Sequence, residues 1–275
     1  MKILVSGASG FIGEYVLSAL RAKGIEAVAL CRTMPAQGSP GITWLIQDFG
    51  SSISSENILQ ISNCDRMIHL AWTGLPNYGS VAHIMDNVLP QYHFIQQILS
   101  MGIRDITITG SCLEYGMRAG AIHAEDPVDP QIPYAIAKDA LHRLLRFETR
   151  KTPFRLKWVR LFYMYGAGQA ASSLYSQLME AIRNGQSEFR MSGGEQVRDF
   201  MSVEAVAEYL IDVSISESER KIFHCCSGHG TRVIDFVENL ITQYHSKIKP
   251  ERGYYPYPEY EPMNFYGVPT VINEN

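Results

Sequence analysis

The chain has 275 residues, 46% of them hydrophobic and 19% charged, a composition that predicts one large globular domain or one domain plus a small lobe. A formal net charge of -4 with no block of Lys or Arg excludes the electrostatic footprint of a nucleic-acid or acidic-membrane binder. No apolar run approaches a membrane span, and five cysteines without a C-x-x-C pair suggest neither a disulfide framework nor a metal site; the reading is a cytoplasmic protein with reduced cysteines and a small-molecule partner.

Strand-length apolar runs alternate with helix-period segments from the first residue. The pattern predicts a strand over 2–6, a helix over 12–23, strands over 25–30 and 66–71, and a helix from about 80 to 100. A strand over 103–109, a Pro/Asp loop over 126–130, a long helix near 134–151 and a strand over 154–161 follow. Such alternation predicts a doubly wound parallel α/β sheet. Beyond Gly166 the pattern predicts helices near 172–184, 203–213 and 233–245, a Gly193-Gly194 turn and a strand over 222–225. Residues 1–165 are therefore read as the sheet domain and 166–275 as a smaller lobe, with 202–226 returning to the main sheet. The tail from Arg252 to Tyr266 is dense in Tyr and Pro and is expected to lie as an extended cover.

Gly7-Ala8-Ser9-Gly10-Phe11-Ile12-Gly13 falls between the first strand and the first helix, the context that turns a glycine pattern into a dinucleotide site. Gly7 permits the tight turn. Gly10 lets backbone N–H groups approach a pyrophosphate at the positive end of the helix, and Gly13 lets the helix pack close to the strand. At the end of the second strand a carboxylate would accept the ribose 2′-hydroxyl of NAD, whereas an arginine pairs with the 2′-phosphate of NADP. Ala29-Leu30-Cys31-Arg32-Thr33 offers no carboxylate, so Arg32 favours NADP(H); NAD is the alternative if Arg32 is an ordinary solvated side chain.

Tyr134 and Lys138 stand at i, i+4 on one helix face, about 5–6 Å apart at Cβ, close enough for an ammonium to stabilise a phenolate. They follow a strand ending Thr109-Gly110-Ser111, which puts Ser111 at the carboxyl edge of the sheet, where α/β folds bind ligands.

In this order the motifs resemble the extended short-chain dehydrogenases/reductases, a family of NAD(P)-dependent nucleotide-sugar epimerases, dehydratases and reductases. Gly7 to Gly13 is similar to its G-x-x-G-x-x-G, His69-Leu70-Ala71 to its H-x-A, Ser111 to Gly116 to its S-x-x-x-Y-G, and Tyr134 with Lys138 to its Y-x-x-x-K. Arg160 to Gly166 resembles R-x-x-x-x-Y-G, Arg198-Asp199-Phe200 resembles R-D-F/Y, and His224 to Gly228 stands near its N-x-x-x-G strand. The resemblance implies a Rossmann-type fold with a C-terminal substrate lobe and a homodimer formed through the two long helices. It implies cofactor contacts from Gly7, Ser9, Gly10, Phe11, Ile12, Gly13, Arg32, Asp48, Phe49, Leu70, Ala71, Asn87 and Lys138. Tyr134 is then the proton donor, Lys138 its charge partner and ribose ligand, and Ser111 the carbonyl hydrogen-bond donor. Ser111, Cys112, Tyr163, Arg198 and Arg252 are the implied substrate contacts, with Arg198 gripping a diphosphate; the alternative for Arg198-Asp199 is a cap on the following helix.

Two departures shape the activity. Family dehydratases follow the Ser/Thr with an Asp-Glu pair, but here Cys112 and Leu113 stand there, and neither does acid–base work at neutral pH. Tyr163 replaces the Asn of the family pattern. The expectation is an NADPH-dependent reductase of a nucleotide-linked 4-keto-6-deoxyhexose. An NAD-retaining 4-epimerase, which shares the triad, is the first alternative, and a non-catalytic NADP-sensing regulator is the second.

Overall fold

The computed structural model describes residues 1–35 and 40–272. Its first half alternates β1 (Lys2–Ser6), α1 (Phe11–Ala22), β2 (Glu26–Cys31), β3 (Ile42–Ile46), α2 (Ser55–Ser62), β4 (Arg66–His69), α3 (Ala82–Ser100) and β5 (Asp105–Ser111). A 3-10 turn (Cys112–Tyr115), β6 (Gly120–Ile122), α4 (Pro133–Glu148), β7 (Arg155–Leu161) and β8 (Tyr163–Tyr165) follow. The remainder is α5 (Leu174–Arg183), β9 (Glu188–Arg190), β10 (Val197–Arg198), β11 (Phe200–Ser202), α6 (Val203–Ile215), β12 (Ile222–Cys225), β13 (Thr231–Arg232), α7 (Val233–Gln243), β14 (Lys249–Glu251) and β15 (Phe265–Gly267).

The central sheet has seven parallel strands in the order β12-β7-β5-β4-β1-β2-β3. Strand order reverses direction at β1, so the β1–α1 loop and the ends of β4 and β5 open on one crevice at the carboxyl edge. Alternation along β1 sends Ile3 and Val5 to one face and Leu4 to the other. On the first face α1 and α6 cover the sheet with Val16, Leu20, Val206 and Leu210; on the second α3 and α4 cover it with Phe94, Ile98, Leu141 and Leu145. All eight are at least nine-tenths buried, and each apolar side chain so buried contributes about 1.5–3 kcal/mol.

The smaller lobe has its own core of Leu178, Phe189, Met191, Phe236, Val237 and Leu240, from α5, β9 and α7. The chain enters it along β8, which pairs with β11, and returns through α6 and β12, which pairs with β7. The tail pins itself across this lobe, where Tyr254 N donates to Met191 O (2.9 Å) and Val197 N to Met263 O (2.8 Å), and then returns to the first half of the chain, where β15 pairs with β6. Among the described residues no helix is long and apolar enough to cross a membrane.

Candidate active site

The β1–α1 loop turns at Gly7, whose φ is +68° and where a Cβ would lie 2.7 Å from Ala71 N. Only glycine allows that approach. At Gly13 a Cβ would lie 2.3 Å from the Gly7 carbonyl, and Gly10 caps α1 with no side-chain hydrogen bond, which leaves the first amides of the helix for an anion. Beside the loop lies a cleft of about 220 Å³ lined by Gly7, Ser9, Gly10, Arg32, Phe49, Leu70 and Ala71, and also by Gln47, Trp72 and Thr73, which sequence reasoning did not nominate. This cradle fits a dinucleotide.

The side chains of four expected cofactor residues point elsewhere. Phe11 sits edge-on to Tyr15 and Ile12 packs into the first core, so what they offer the loop is backbone. Asp48 is exposed, and its Oδ1 accepts from Gly50 N at 2.8 Å, shaping the turn around Phe49. Asn87 is fully buried and holds the cleft wall: its Oδ1 accepts from Thr73 N (2.9 Å) and Gln91 Nε2 (2.9 Å). Gln91 Oε1 meets His69 Nε2 at 2.6 Å, and His69 Nδ1 meets the Ser6 hydroxyl at 2.6 Å. Burial lowers His69 to about 4, so it is neutral; because the amide oxygen can only accept, Nε2 carries the proton and Nδ1 accepts from Ser6.

Ser111 ends β5 and caps the 3-10 turn, its Oγ accepting from Leu113 N (3.2 Å) while its own N–H donates to Glu114 Oε1 (2.8 Å). Glu114 is fully buried and receives Arg160 Nε at 2.8 Å and Trp158 Nε1 at 3.1 Å. Burial still raises its carboxyl above the usual range, against the pull of Arg160. Arg160 donates a second bond to the Tyr115 hydroxyl (2.6 Å), which also meets His224 Nε2 (2.6 Å). The Arg of one motif and the Tyr of another thus form a bracket behind Ser111.

Tyr134 lies in the first turn of α4, with Pro133 before it. Its ring packs edge-on against Trp72 (5.8 Å), Tyr78 (5.2 Å) and His83 (5.2 Å). Burial pushes the Tyr134 phenol well up, and the Ser111 hydroxyl pulls it the other way. One turn on, Lys138 Nζ donates to Thr109 O (2.7 Å), lies 3.8 Å from the Trp72 ring centroid, and is brought down to about 7 by burial. Burial therefore dominates at Tyr134, and Tyr78, Glu114 and Cys112 push the phenol the same way.

On the substrate side Cys112 is buried and its thiol held well up by burial. Tyr163 lies with its ring 5.1 Å from the Arg198 guanidinium. Arg198 is 2% exposed; one terminal nitrogen donates to the carbonyls of Val197 and Pro262 (2.8 Å each) and the other pairs with Glu261 (2.9 Å). Asp199 does not cap the following helix. It accepts from Ser227 N (2.6 Å), Ser227 Oγ (2.7 Å) and Gly228 N (3.0 Å), and Ser202 caps α6. Arg252 is half-exposed, donating to Gly193 O (2.7 Å) and pairing with Glu195, so it has different partners from Arg198.

A phosphate loop at the reversal of a parallel sheet, with Ser111, Tyr134 and Lys138 gathered at the strand ends, defines an enzyme that works with a nicotinamide dinucleotide. Residues 3–222 match the NAD dependent epimerase/dehydratase family, and the chain belongs to it. It is 29% identical over 270 residues to the dTDP-6-deoxy-L-talose 4-dehydrogenase (NAD(+)) of Aggregatibacter actinomycetemcomitans, covering 97% of this chain and 99% of that one. CDP-abequose synthase of Salmonella typhimurium (strain LT2) is 24% identical over 248 residues, 86% of this chain and 79% of the relative. The solved structure of MoeE5 in complex with UDP-glucose and NAD matches with a TM-score of 0.83 at 24% identity, covering 99% of this chain and 91% of that one.

Proposed function

We propose that this enzyme reduces the C4 carbonyl of a nucleotide-linked 4-keto-6-deoxyhexose, the reverse of a 4-dehydrogenation. One observation carries this reading: Ser111, Tyr134 and Lys138 share the site, and no carboxylate follows Ser111 to eliminate water. The nearest in sequence, Glu114, is locked behind Ser111 by Arg160 and Trp158. The similarity to a dTDP-6-deoxy-L-talose 4-dehydrogenase supports the same chemistry written in the opposite direction.

When bound, the nicotinamide supplies hydride to C4. Ser111 Oγ accepts from Leu113 N, which leaves its own proton to donate to the carbonyl oxygen. Tyr134, kept protonated at neutral pH by burial, gives its proton to the oxygen as charge develops there. Lys138, held by Thr109 O, stabilises the phenolate that remains. Gly7 to Gly13, Phe49, Leu70, Ala71 and Thr73 hold the cofactor. Arg32, exposed at the cleft, takes the 2′-phosphate of NADP(H). NAD is the second reading, favoured by the NAD(+) in the relative's name. Residues 1–165 serve the cofactor and bring Ser111, Cys112 and Tyr163 to the substrate; 166–275 bind the rest of it, where Arg198 still has Nε–H and one further N–H for a diphosphate and Arg252 completes the contacts. The competing activity is an NAD-retaining 4-epimerase. A panel of nucleoside-diphosphate 4-keto-6-deoxyhexoses assayed with NADPH and NADH tests the reading: loss of reduced-nicotinamide absorbance with at least one sugar supports it, and none with any sugar contradicts it.

A further inference from the structure

We propose that a second cavity, at the far end of α4 from Tyr134, is a binding site for a nucleoside diphosphate. It measures about 480 Å³, more than twice the cofactor cleft, and is framed by α4, the start of β7 and the segment before β12. That is room for a base and sugar as well as phosphates. In a chain of net charge -4, six of its lining side chains are Arg or Lys and one, Glu219, is acidic.

Other lining cations are already engaged, Arg143 with Asp139 (2.7 Å) and Arg155 with Asp105 (3.0 Å). Arg146, Arg150 and Lys221 have no carboxylate within 4.0 Å among the described residues, so their charge is available to an anion. A guanidinium pair suits the fork of a diphosphate. His142, also lining the cavity, is 3% exposed, and its Nε2 is buried with no hydrogen-bond partner. Burial first, and then the charges of Arg160, Arg146 and Arg143, lower it to about 3, so it is a neutral imidazole and leaves the cavity's charge to the Arg and Lys side chains. Phe154 supplies an apolar wall for the base.

The cavity is tied to the catalytic frame. Tyr134, Lys138, His142 and Arg146 recur every four residues along α4, and His142 stacks on Trp158 at 4.7 Å, whose indole N–H is bound to Glu114.

Calorimetric titration of the full chain with UDP, and separately with inorganic pyrophosphate, tests the site. The wild type should bind one more UDP per chain than Arg146→Gln/Arg150→Gln, or bind that UDP roughly tenfold more tightly or better. Because the site is defined by this difference, the result does not depend on whether the catalytic cleft also takes UDP. The variant should melt within a few degrees of the wild type and keep its maximal turnover; Lys221→Gln, with a smaller loss of affinity, is the check if the double variant misfolds. Equal stoichiometry and affinity in wild type and variants would overturn the proposal. Pyrophosphate binding there as tightly as UDP would overturn the nucleoside part, leaving a phosphate site only.

Discussion

In the proposed reduction, Tyr134 and Lys138 divide the proton work between a group that burial keeps protonated and one that burial leaves poised. Tyr134→Phe removes the positioned donor and should lower turnover roughly 10²–10⁴-fold with little change in cofactor binding, measured by steady-state kinetics beside a cofactor titration. Lys138 stands at about 7, below its ordinary 10.5, so its charged fraction falls as pH rises through neutrality. Because Tyr134 is shifted upwards it stays protonated throughout that range. The kcat/KM for reduction should be level on the acid side and fall about tenfold per pH unit above roughly pH 7. Lys138→Arg, which stays charged, should move that fall to higher pH; a fall on the acid side would contradict the assignment. Arg32→Ala should weaken NADPH by about 1.5 kcal/mol, roughly tenfold, and leave NADH unchanged, the lower end for a charge-assisted bond because the side chain is exposed. That Ser111, Tyr134 and Lys138 come together was legible in the sequence, because the proposed chemistry fixes the residue types and the i, i+4 spacing of the last two. Trp72, Gln47 and Glu261 were not, since an indole, an amide or a tail carboxylate has no local pattern that marks the ligand side of a fold.

Among the elements, the short turn after β5 decides where Ser111 points. Its capping box and the Glu114–Arg160 pair at 2.8 Å are buried, and breaking such a pair costs about 3–5 kcal/mol because one charge is left without a partner. Arg160→Met should lower unfolding stability by that order in urea titration and lower kcat through the displaced Ser111. Loss of stability with unchanged kcat would show that the bracket supports the fold alone. Elements with strong periodicity, such as α1, α3, α4 and β7, were readable to within a few residues. The edge strand β3 and the eight-residue α2 were not: Ile42-Thr43-Trp44-Leu45-Ile46 carries a strand-favouring apolar run that went unread between the loops on either side, and α2 buries only Asn57 and Ile61. The capping alternative for Asp199 failed for another reason, that its partners Ser227 and Gly228 lie far along the chain.

For the molecule as a whole, α3 leaves Val81, Ile84, Met85 and Leu89 exposed at or near its start and α4 leaves Ile136 exposed in its first turn, away from the second cavity. We infer that these helices form a homodimer face, as such apolar side chains on neighbouring helices suit a second copy. Met85→Glu/Leu89→Glu should then halve the mass found by light scattering, and an unchanged mass would remove that face from consideration. The central claim is that reduction and not epimerisation is the reaction. It is tested most directly by measuring, with purified enzyme, the moles of reduced nicotinamide cofactor consumed per mole of nucleotide 6-deoxyhexose formed. One to one is the expected result. Interconversion of two nucleotide hexoses on tightly bound NAD, with no added cofactor consumed, would contradict it.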